Sequence, residues 1–177
     1  NRRLTGVLAH YHFAPTNTNK INLLKEGINE SSIYVTGNTG LDALHLVVDL
    51  INNDLNLRQR IKNAIIQSGF TELDTKFILV TGHRRENFGQ GFLNICKSLK
   101  AIAENFPDIN ILYPVHLNPN VRKPVNELLS SISNIKLVEP FHYEEFIYLM
   151  SKSYLILTDS GGIQEEGPSL GKPVLVM

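Results

Sequence analysis

A glycine-rich loop at residues 81–91 carries two arginines and a histidine directly before an amphipathic segment. Glycine lets a backbone approach a ligand closely, Arg can hold phosphate oxygens with paired hydrogen bonds, and a helix N-terminus adds partial positive charge. His83, Arg84 and Arg85 therefore predict a phosphate site. The alternative is a solvated charged loop in which an arginine pairs with Glu86. The loop is neither a Walker loop nor GxGxxG, so it gives no specific support for ATP or NAD.

A second potential anion site lies at Ser160, Gly161 and Gly162, where a short apolar run ends and a helix is expected to open. Several backbone N–H groups are open at such a turn. Glu165 and Glu166 follow, and carboxylates in a first helical turn stabilise the helix. One of them lies about a turn into the helix, where it could accept hydrogen bonds from sugar hydroxyls. Two anion sites on one sheet edge predict a diphosphate or a nucleotide.

Other polar and aromatic side chains stand where further strands are expected to end. His116 is one of them, although a lone histidine is more often structural, and Asn120 is interpreted as the cap of the next helix. Phe141 and Phe146 offer aromatic faces and open backbone groups to a flat base, with core packing as the alternative for Phe146. No His, Cys and Asp arrangement has metal-ligand spacing, and Cys96 is predicted to be a small buried hydrophobe.

The elements that must position these residues alternate between short β-branched runs and amphipathic stretches from Lys76 onward. Alternating strands and helices predict a doubly wound α/β domain with a parallel sheet, in which ligands bind beyond the carboxyl ends of the strands. Pro124 is expected in or near the first turn of its helix. The predicted strands are 76–80, 109–113, 135–138, 154–158 and 173–177.

The first 75 residues have a different pattern. A long helix is predicted from Leu41 to about Ile66, after a turn-like segment at 36–40, and is interpreted as a connector. A helix at 17–26 and an extended run at 33–35 precede it, and we expect them to close a preceding domain.

Composition and charge exclude several classes of protein. The 177 residues contain 17 Lys and Arg against 17 Asp and Glu, so a surface built to neutralise many phosphates is not expected, and neither is a nucleic-acid partner. No apolar run approaches the roughly 18 residues that span a bilayer. The lone cysteine suits a reducing compartment, and no secretion signal is recognisable. Because the chain lacks an initiator Met, we expect it to be part of something longer.

Three motifs together resemble one enzyme family. They are Gly82-His83-Arg84-Arg85-Glu86-Asn87, Pro114-Val115-His116-Leu117-Asn118-Pro119 and Leu157-Thr158-Asp159-Ser160-Gly161-Gly162-Ile163-Gln164-Glu165-Glu166. They resemble the bacterial non-hydrolysing UDP-N-acetylglucosamine 2-epimerases, as does Thr36-Gly37-Asn38-Thr39 with Asp42-Ala43-Leu44, and the resemblance runs from end to end. It implies a Rossmann-like doubly wound parallel sheet forming the C-terminal half of a two-domain GT-B architecture. The implied boundaries are 1–37 for the end of the N-terminal domain, 38–75 for the hinge and connecting helix, and 76–177 for a UDP-binding domain truncated at its end.

The resemblance also implies roles for individual residues. The family's active-site histidine, which contacts the diphosphate, would be His83. Phosphate oxygens would be held by Ser160, Gly161 and Gly162, and ribose hydroxyls by Glu166. Phe146 would pack by the nucleoside and the backbone of Phe141 would meet uracil. Arg84 and His116 match positions that in several members bind a second, regulatory UDP-GlcNAc, so they are expected in a regulatory or phosphate site.

The reaction implied is the interconversion of UDP-GlcNAc and UDP-ManNAc by elimination of UDP and its re-addition with inversion at C2. No metal or cofactor is expected, the family's acid/base carboxylates would lie upstream of this chain, and a cytoplasmic homodimer of the full-length enzyme, serving polysaccharide biosynthesis, is implied. Three alternatives stay open at this point: a hydrolysing epimerase that releases ManNAc, a GT-B nucleotide-sugar glycosyltransferase, and a non-catalytic nucleotide-binding fragment.

Overall fold

The protein is described by a computed structural model that covers residues 1–82, 84 and 87–177. The chain divides into two compact units, 1–43 and 44–177. The helices in the described residues are α1 (Arg2–Leu8), α2 (Asn17–Lys25), α3 (Thr39–Asn53), α4 (Leu55–Gln67), α5 (Gln90–Asn105), α6 (Pro119–Leu129), α7 (Tyr143–Lys152) and α8 (Gly161–Ser169). The strands are β1 (His12–Ala14), β2 (Ile33–Val35), β3 (Phe77–Thr81), β4 (Asn110–Pro114), β5 (Ile135–Val138), β6 (Leu155–Thr158) and β7 (Val174–Val176), and a 3₁₀ turn covers Glu30–Ser32.

The first unit contains a short parallel pair of strands. β1 and β2 pair in register from His12 opposite Ile33 to Ala14 opposite Val35. The helix between them, α2, begins after Thr16, whose hydroxyl oxygen accepts a hydrogen bond from the backbone N–H of Asn19 at 3.2 Å. This capping bond satisfies one of the N–H groups that a helix leaves without an intrahelical partner.

The second unit is built on five parallel strands in the order β5-β4-β3-β6-β7. The chain runs outward from β3 to β5 and then returns to place β6 on the other side of β3. The strand order therefore reverses between β3 and β6, and in doubly wound sheets ligands bind at that point, beyond the carboxyl ends of the strands. Each of the five predicted strands lies within one residue of its expected ends.

Helices cover both faces of this sheet, and the side chains of β3 point alternately to one face and the other. Ile78 and Val80 belong to a buried cluster with residues of α5 and α6. Phe77 points to the opposite face, where its ring lies 5.1 Å from that of Phe70, just after α4. Cys96 is fully buried in the first cluster, so its prediction as a small buried hydrophobe is confirmed.

The predicted long helix 41–66 is wrong in one respect, because it is two helices. Asp54 has extended backbone angles between α3 and α4, and its Oδ1 accepts from the N–H groups of Asn56 at 2.9 Å and Leu57 at 3.0 Å. A short acidic side chain competes for backbone donors in this way, so it starts a new helix rather than continuing the old one.

The interpretation of Asn120 as a helix cap is also wrong. The cap of α6 is Asn118, whose side-chain oxygen accepts from the N–H of Asn120 at 3.0 Å. Pro119 therefore occupies the first helical position, where its missing N–H has no cost. Pro124 consequently lies in the second turn of α6.

A half-buried amide holds together the amino-terminal ends of the strands, opposite to the ends where the crevice residues of β3 and β6 lie. Asn134, just before β5, donates from Nδ2 to the carbonyl oxygens of Ala103 and Ile109, each at 3.1 Å. It thereby ties the end of α5 and the start of β4 to β5.

Candidate functional site

A crevice of about 230 Å³ lies at the carboxyl ends of β3, β4, β5 and β6. It spans the reversal of strand order, the position where a doubly wound sheet is expected to bind its ligand. Residues from four separate loops meet there. The lining consists of Thr81, Gly82, Pro114, His116, Pro140, Phe141, Phe146, Ser160 and Ile163.

The start of α8 forms one wall of this crevice. Ser160 is the N-cap residue in extended conformation, and its side chain makes no capping hydrogen bond to the helix. Its own N–H donates to the Thr158 hydroxyl oxygen at 2.9 Å. The first N–H groups of a helix have no intrahelical partner and carry partial positive charge, so this wall can accept an anion.

The guanidinium of Arg84 lies against the same helix start. A side-chain carbon built on Gly161 would come 3.1 Å from Arg84 Nη2, so the glycine leaves the room that the guanidinium occupies. Arg84 is otherwise an exposed residue of the loop after β3. The structure therefore brings a cation from the first predicted anion site to the second, which lies more than seventy residues later in the chain.

The carboxylate of Glu166 faces back toward this helix start. Its Oε1 would lie 3.9 Å from a side-chain carbon on Gly162. Burial, and secondarily the neighbouring Glu165, raise the pKa of the Glu166 carboxyl above its ordinary value. Burial also raises the pKa of the Tyr143 phenol, with a smaller contribution from Glu166. A half-buried carboxylate next to open N–H groups is suited to accept hydrogen bonds from hydroxyl groups.

Two phenylalanines supply the apolar side of the crevice. Phe141 precedes α7 and Phe146 lies in its first turns, and both are half-buried lining residues. Partly exposed aromatic rings offer flat faces on which a planar ligand can pack. Sequence and structure agree that these residues stand at the end of β5.

His116 lines the same crevice as an exposed residue after β4. Its Nδ1 accepts a hydrogen bond from the backbone N–H of Asn118 at 3.1 Å. That contact orients the ring and, in the neutral imidazole, leaves the proton on Nε2.

Beneath the crevice lies a polar scaffold for which the sequence patterns indicated no role. The hydroxyls of Thr81 and Thr158 lie 2.5 Å apart and share a hydrogen bond between β3 and β6. The fully buried Tyr113 donates from its hydroxyl to the carbonyl oxygen of Gly82 at 3.1 Å, and burial raises its pKa. Because these contacts join different strands, neither periodicity nor local spacing indicates them.

A buried carboxylate completes the scaffold. Asp159 is 3% exposed, and its Oδ2 accepts from the N–H of Arg84 at 2.8 Å and from Asn87 Nδ2 at 3.2 Å. The motif around Asp159 was recognisable in the sequence, but its partners lie on a loop that the sequence places far away. It is the functional candidate that sequence reasoning missed.

The predicted catalytic histidine, His83, lies outside the described residues, as do Arg85 and Glu86. Of the remaining predicted site residues, Phe141, Phe146, Ser160 and His116 line one crevice, and Arg84, Gly161, Gly162 and Glu166 group around the start of α8. In the part of the chain that the structure describes, no three His, Cys, Asp or Glu side chains form a group that could hold a metal ion. No helix among these residues is long and apolar enough to cross a membrane.

The chain is similar to known proteins along its whole length. Residues 1–177 match the family model described as UDP-N-acetylglucosamine 2-epimerase. A curated protein of that name from Campylobacter jejuni is 60% identical over 177 residues, which are 100% of this chain and 46% of the relative. The chain thus spans about half the length of the curated relatives it matches.

Solved structures of the same group share the fold. The crystal structure of UDP-GlcNAc 2-epimerase from Neisseria meningitidis bound to UDP-GlcNAc is 50% identical with a TM-score of 0.89, covering 99% of this chain and 46% of that one. The Methanocaldococcus jannaschii UDP-GlcNAc 2-epimerase in complex with UDP-GlcNAc and UDP is 36% identical with a TM-score of 0.77, covering 99% of this chain and 47% of that one. Together with the observed parallel sheet, these similarities confirm the predicted α/β fold class.

Proposed function

The chain belongs to the UDP-N-acetylglucosamine 2-epimerase family, and from that premise we propose that it supplies the UDP-binding half of an isomerase that interconverts UDP-GlcNAc and UDP-ManNAc. One observation carries the proposal. Arg84, Ser160 and Glu166, which come from two distant motifs, group at the start of α8 beside a crevice with two aromatic walls. Cationic, hydrogen-bonding and aromatic groups in this order match the diphosphate, ribose and base of a nucleoside diphosphate.

The diphosphate is assigned to the start of α8. Ser160 would donate through its hydroxyl, and Gly161 and Gly162 through their backbone N–H groups, while Arg84 adds a full positive charge next to them. Fixed dipoles and a nearby cation stabilise the negative charge that develops on a departing diphosphate. The place of the Arg84 guanidinium against Gly161 favours the phosphate role over the regulatory role for this residue.

The nucleoside is assigned to the crevice beside the start of α8. Glu166 would accept hydrogen bonds from ribose hydroxyls, Phe146 would pack beside the nucleoside, and the backbone of Phe141 would meet uracil. His116 lines the same crevice and stays a candidate for contact with a second, regulatory UDP-GlcNAc.

The proposed reaction eliminates UDP from the sugar and adds it back after the opposite face of C2 has been protonated. This chemistry needs a general base near C2 and stabilisation of the departing UDP. The residues of this chain serve the second need, with His83 proposed to contact the diphosphate. The acid/base carboxylates are proposed to lie in the other half of the enzyme.

Ligand binding by the 177-residue chain tests the site. We expect weak UDP binding, since a crevice of about 230 Å³ holds only part of such a ligand, and we expect no epimerisation of UDP-GlcNAc. Ser160→Ala should weaken UDP binding further, measured by NMR titration. Turnover of UDP-GlcNAc to UDP-ManNAc by the purified chain would refute the division of labour between two halves.

The role of His83 is tested in the full-length protein. His83→Ala should lower turnover by a factor on the order of 100 or more, the range seen when an electrostatic or proton-transfer group is removed from an active site. Near-normal activity would remove His83 from the mechanism. Product analysis in the same assay separates the reactions, because free ManNAc with UDP would indicate hydrolysis and a sugar transferred to an acceptor would indicate a glycosyltransferase.

The domain organisation forms part of the same proposal. Residues 1–37 would end the N-terminal domain, 38–75 would form the hinge and connecting helix, and 76–177 would form the UDP-binding domain. The full-length enzyme is proposed to be a cytoplasmic homodimer that serves polysaccharide biosynthesis, which rests on the family resemblance. Light scattering of the full-length protein measures the oligomeric state, and a monomer would contradict the dimer.

A further inference from the structure

Asp159 is a carboxylate that the proposed mechanism does not use. It lies between the end of β6 and Ser160 and is 3% exposed. Burying a carboxylate is unfavourable unless hydrogen bonds replace its lost hydration, and a negative charge next to a diphosphate would also repel the ligand. We therefore expect this carboxylate to accept hydrogen bonds from the protein and not to contact the ligand.

Its partners lie on the loop after β3. Asp159 Oδ2 accepts from the backbone N–H of Arg84 at 2.8 Å and from Asn87 Nδ2 at 3.2 Å. The backbone N–H of Asp159 also donates to the carbonyl oxygen of Thr81 at 3.2 Å. Asp159, which directly precedes the Ser160 cap of α8, thus holds the end of β3 and two residues that follow it, Arg84 and Asn87.

The contact with Arg84 has a geometric consequence. Asp159 holds the backbone of Arg84, and the Arg84 guanidinium can therefore lie across the start of α8. Its Nη2 is 3.1 Å from the point where a Cβ on Gly161 would lie. Charge-assisted hydrogen bonds to a carboxylate are short and strong, so this link can hold the backbone of Arg84 in one place.

We infer that Asp159 is a positioning residue for the diphosphate site. It holds Arg84 and Asn87, which follow β3, next to the start of α8 and so places the Arg84 guanidinium. The inference rests on the proposed function, since it assumes that the diphosphate binds at this helix start. Asp159 itself stays beneath the site and does not touch the ligand.

The test compares two ligands that differ in the diphosphate. Dissociation constants of UDP and of uridine are measured by calorimetry and competition NMR for the full-length protein and its Asp159→Ala variant. We expect the substitution to weaken UDP binding roughly 10-fold or more, the factor that corresponds to losing one charge-assisted contact, and to change uridine binding by less than about twofold. Asp159→Asn, whose amide oxygen can still accept from Arg84, should recover part of the loss.

Two further variants separate positioning from general damage to the fold. Asn134→Ala removes a half-buried amide at the opposite, amino-terminal ends of the strands, so it should lower the melting temperature without changing UDP affinity. In an Arg84→Ala background, Asp159→Ala should add less than about twofold, because residues that act through one another are not additive. If Asp159→Ala does not fold, Asn87→Ala tests the positioning role in its place, because it removes the second contact to Asp159. We expect it to lower UDP affinity about threefold and to leave uridine affinity unchanged.

The outcomes distinguish the two proposals. Equal weakening of UDP and uridine, unchanged UDP affinity, or additive effects with Arg84→Ala would overturn the positioning role while leaving the proposed function intact. If only Asn87→Ala can be measured, unchanged UDP affinity in that variant would likewise overturn the positioning role. Failure of the unmodified protein to bind UDP would overturn the proposed function and this inference together.

Discussion

Adding one methyl group at Gly167 tests how tightly α8 must lie on the sheet. Gly167 is a buried residue of α8, and a side-chain carbon there would come 2.5 Å from Val174 Cγ2 and 3.1 Å from Ile156 Cδ1. Both neighbours are branched side chains on β6 and β7. Because a Cβ essentially never approaches another atom to 2.5 Å, Gly167→Ala must move either the helix or the strand.

The expected magnitude is the difference between two effects. Overpacking a well-filled site costs about 1–3 kcal/mol, and Val174 is stiff about its first side-chain torsion, so we place the cost near the upper end. Replacing Gly by Ala inside a helix returns about 1 kcal/mol. The net destabilisation of Gly167→Ala should be about 1.5 kcal/mol, which lowers the melting temperature of a chain of this size by about 3–6 °C.

Thermal and urea unfolding, monitored by circular dichroism, measure the difference in stability between Gly167→Ala and the unmodified chain. Gly91→Ala is the matched control, since its new carbon would meet Asn87 Cβ at an ordinary 3.8 Å and should leave stability unchanged or slightly raised. Val174→Ala removes the clashing methyl group, so the double variant should be more stable than the sum of the two single effects predicts. UDP affinity should fall in Gly167→Ala and return in the double variant, because α8 carries Ser160. A stability gain in Gly167→Ala, or strictly additive effects, would refute the close-packing argument.

Three further predictions concern residues of the same unit. The pKa of the Glu166 carboxyl is raised in the folded protein, so its contribution to stability is complete below the ordinary value of 4.5 and declines as pH rises through the folded-state pKa. Glu166→Gln should therefore reduce the fall in melting temperature as pH rises above 4.5, and it should weaken UDP binding. An unchanged pH profile of the melting temperature would contradict this. Tyr113→Phe leaves the buried Gly82 carbonyl without its hydroxyl donor and should cost about 1–2 kcal/mol in urea unfolding. Asn134→Ala should cost about 1–3 kcal/mol, whereas Asn105→Ala, an exposed amide with one backbone contact, should stay within about 0.5 kcal/mol; equal effects would contradict the assigned role of Asn134.

The strands and helices of the second unit were predictable because burial on both faces of a parallel sheet imposes a local pattern. The run 77–80 is continuously apolar and fully buried, as central parallel strands require. The break at Asp54 was missed because the apolar periodicity continues through it, and a single side chain that accepts from two backbone N–H groups decides the matter. A single Asp that competes for backbone N–H groups is hard to recognise in an apolar pattern, yet it ends one helix and begins the next.

The sequence by itself determined the family, the parallel α/β fold and the residues that could meet a nucleotide, because glycine turns, cations and carboxylates stand at recognisable spacings along the chain. Only the tertiary structure decided which of them come together. β3 and β6 are neighbours in the sheet but more than seventy residues apart in the chain. Their ends share the hydrogen bond between Thr81 and Thr158. The segments that follow them bring Arg84 against Gly161 and next to the buried Asp159. Strand order is set by how the whole sheet buries its apolar faces, and no local pattern contains that information.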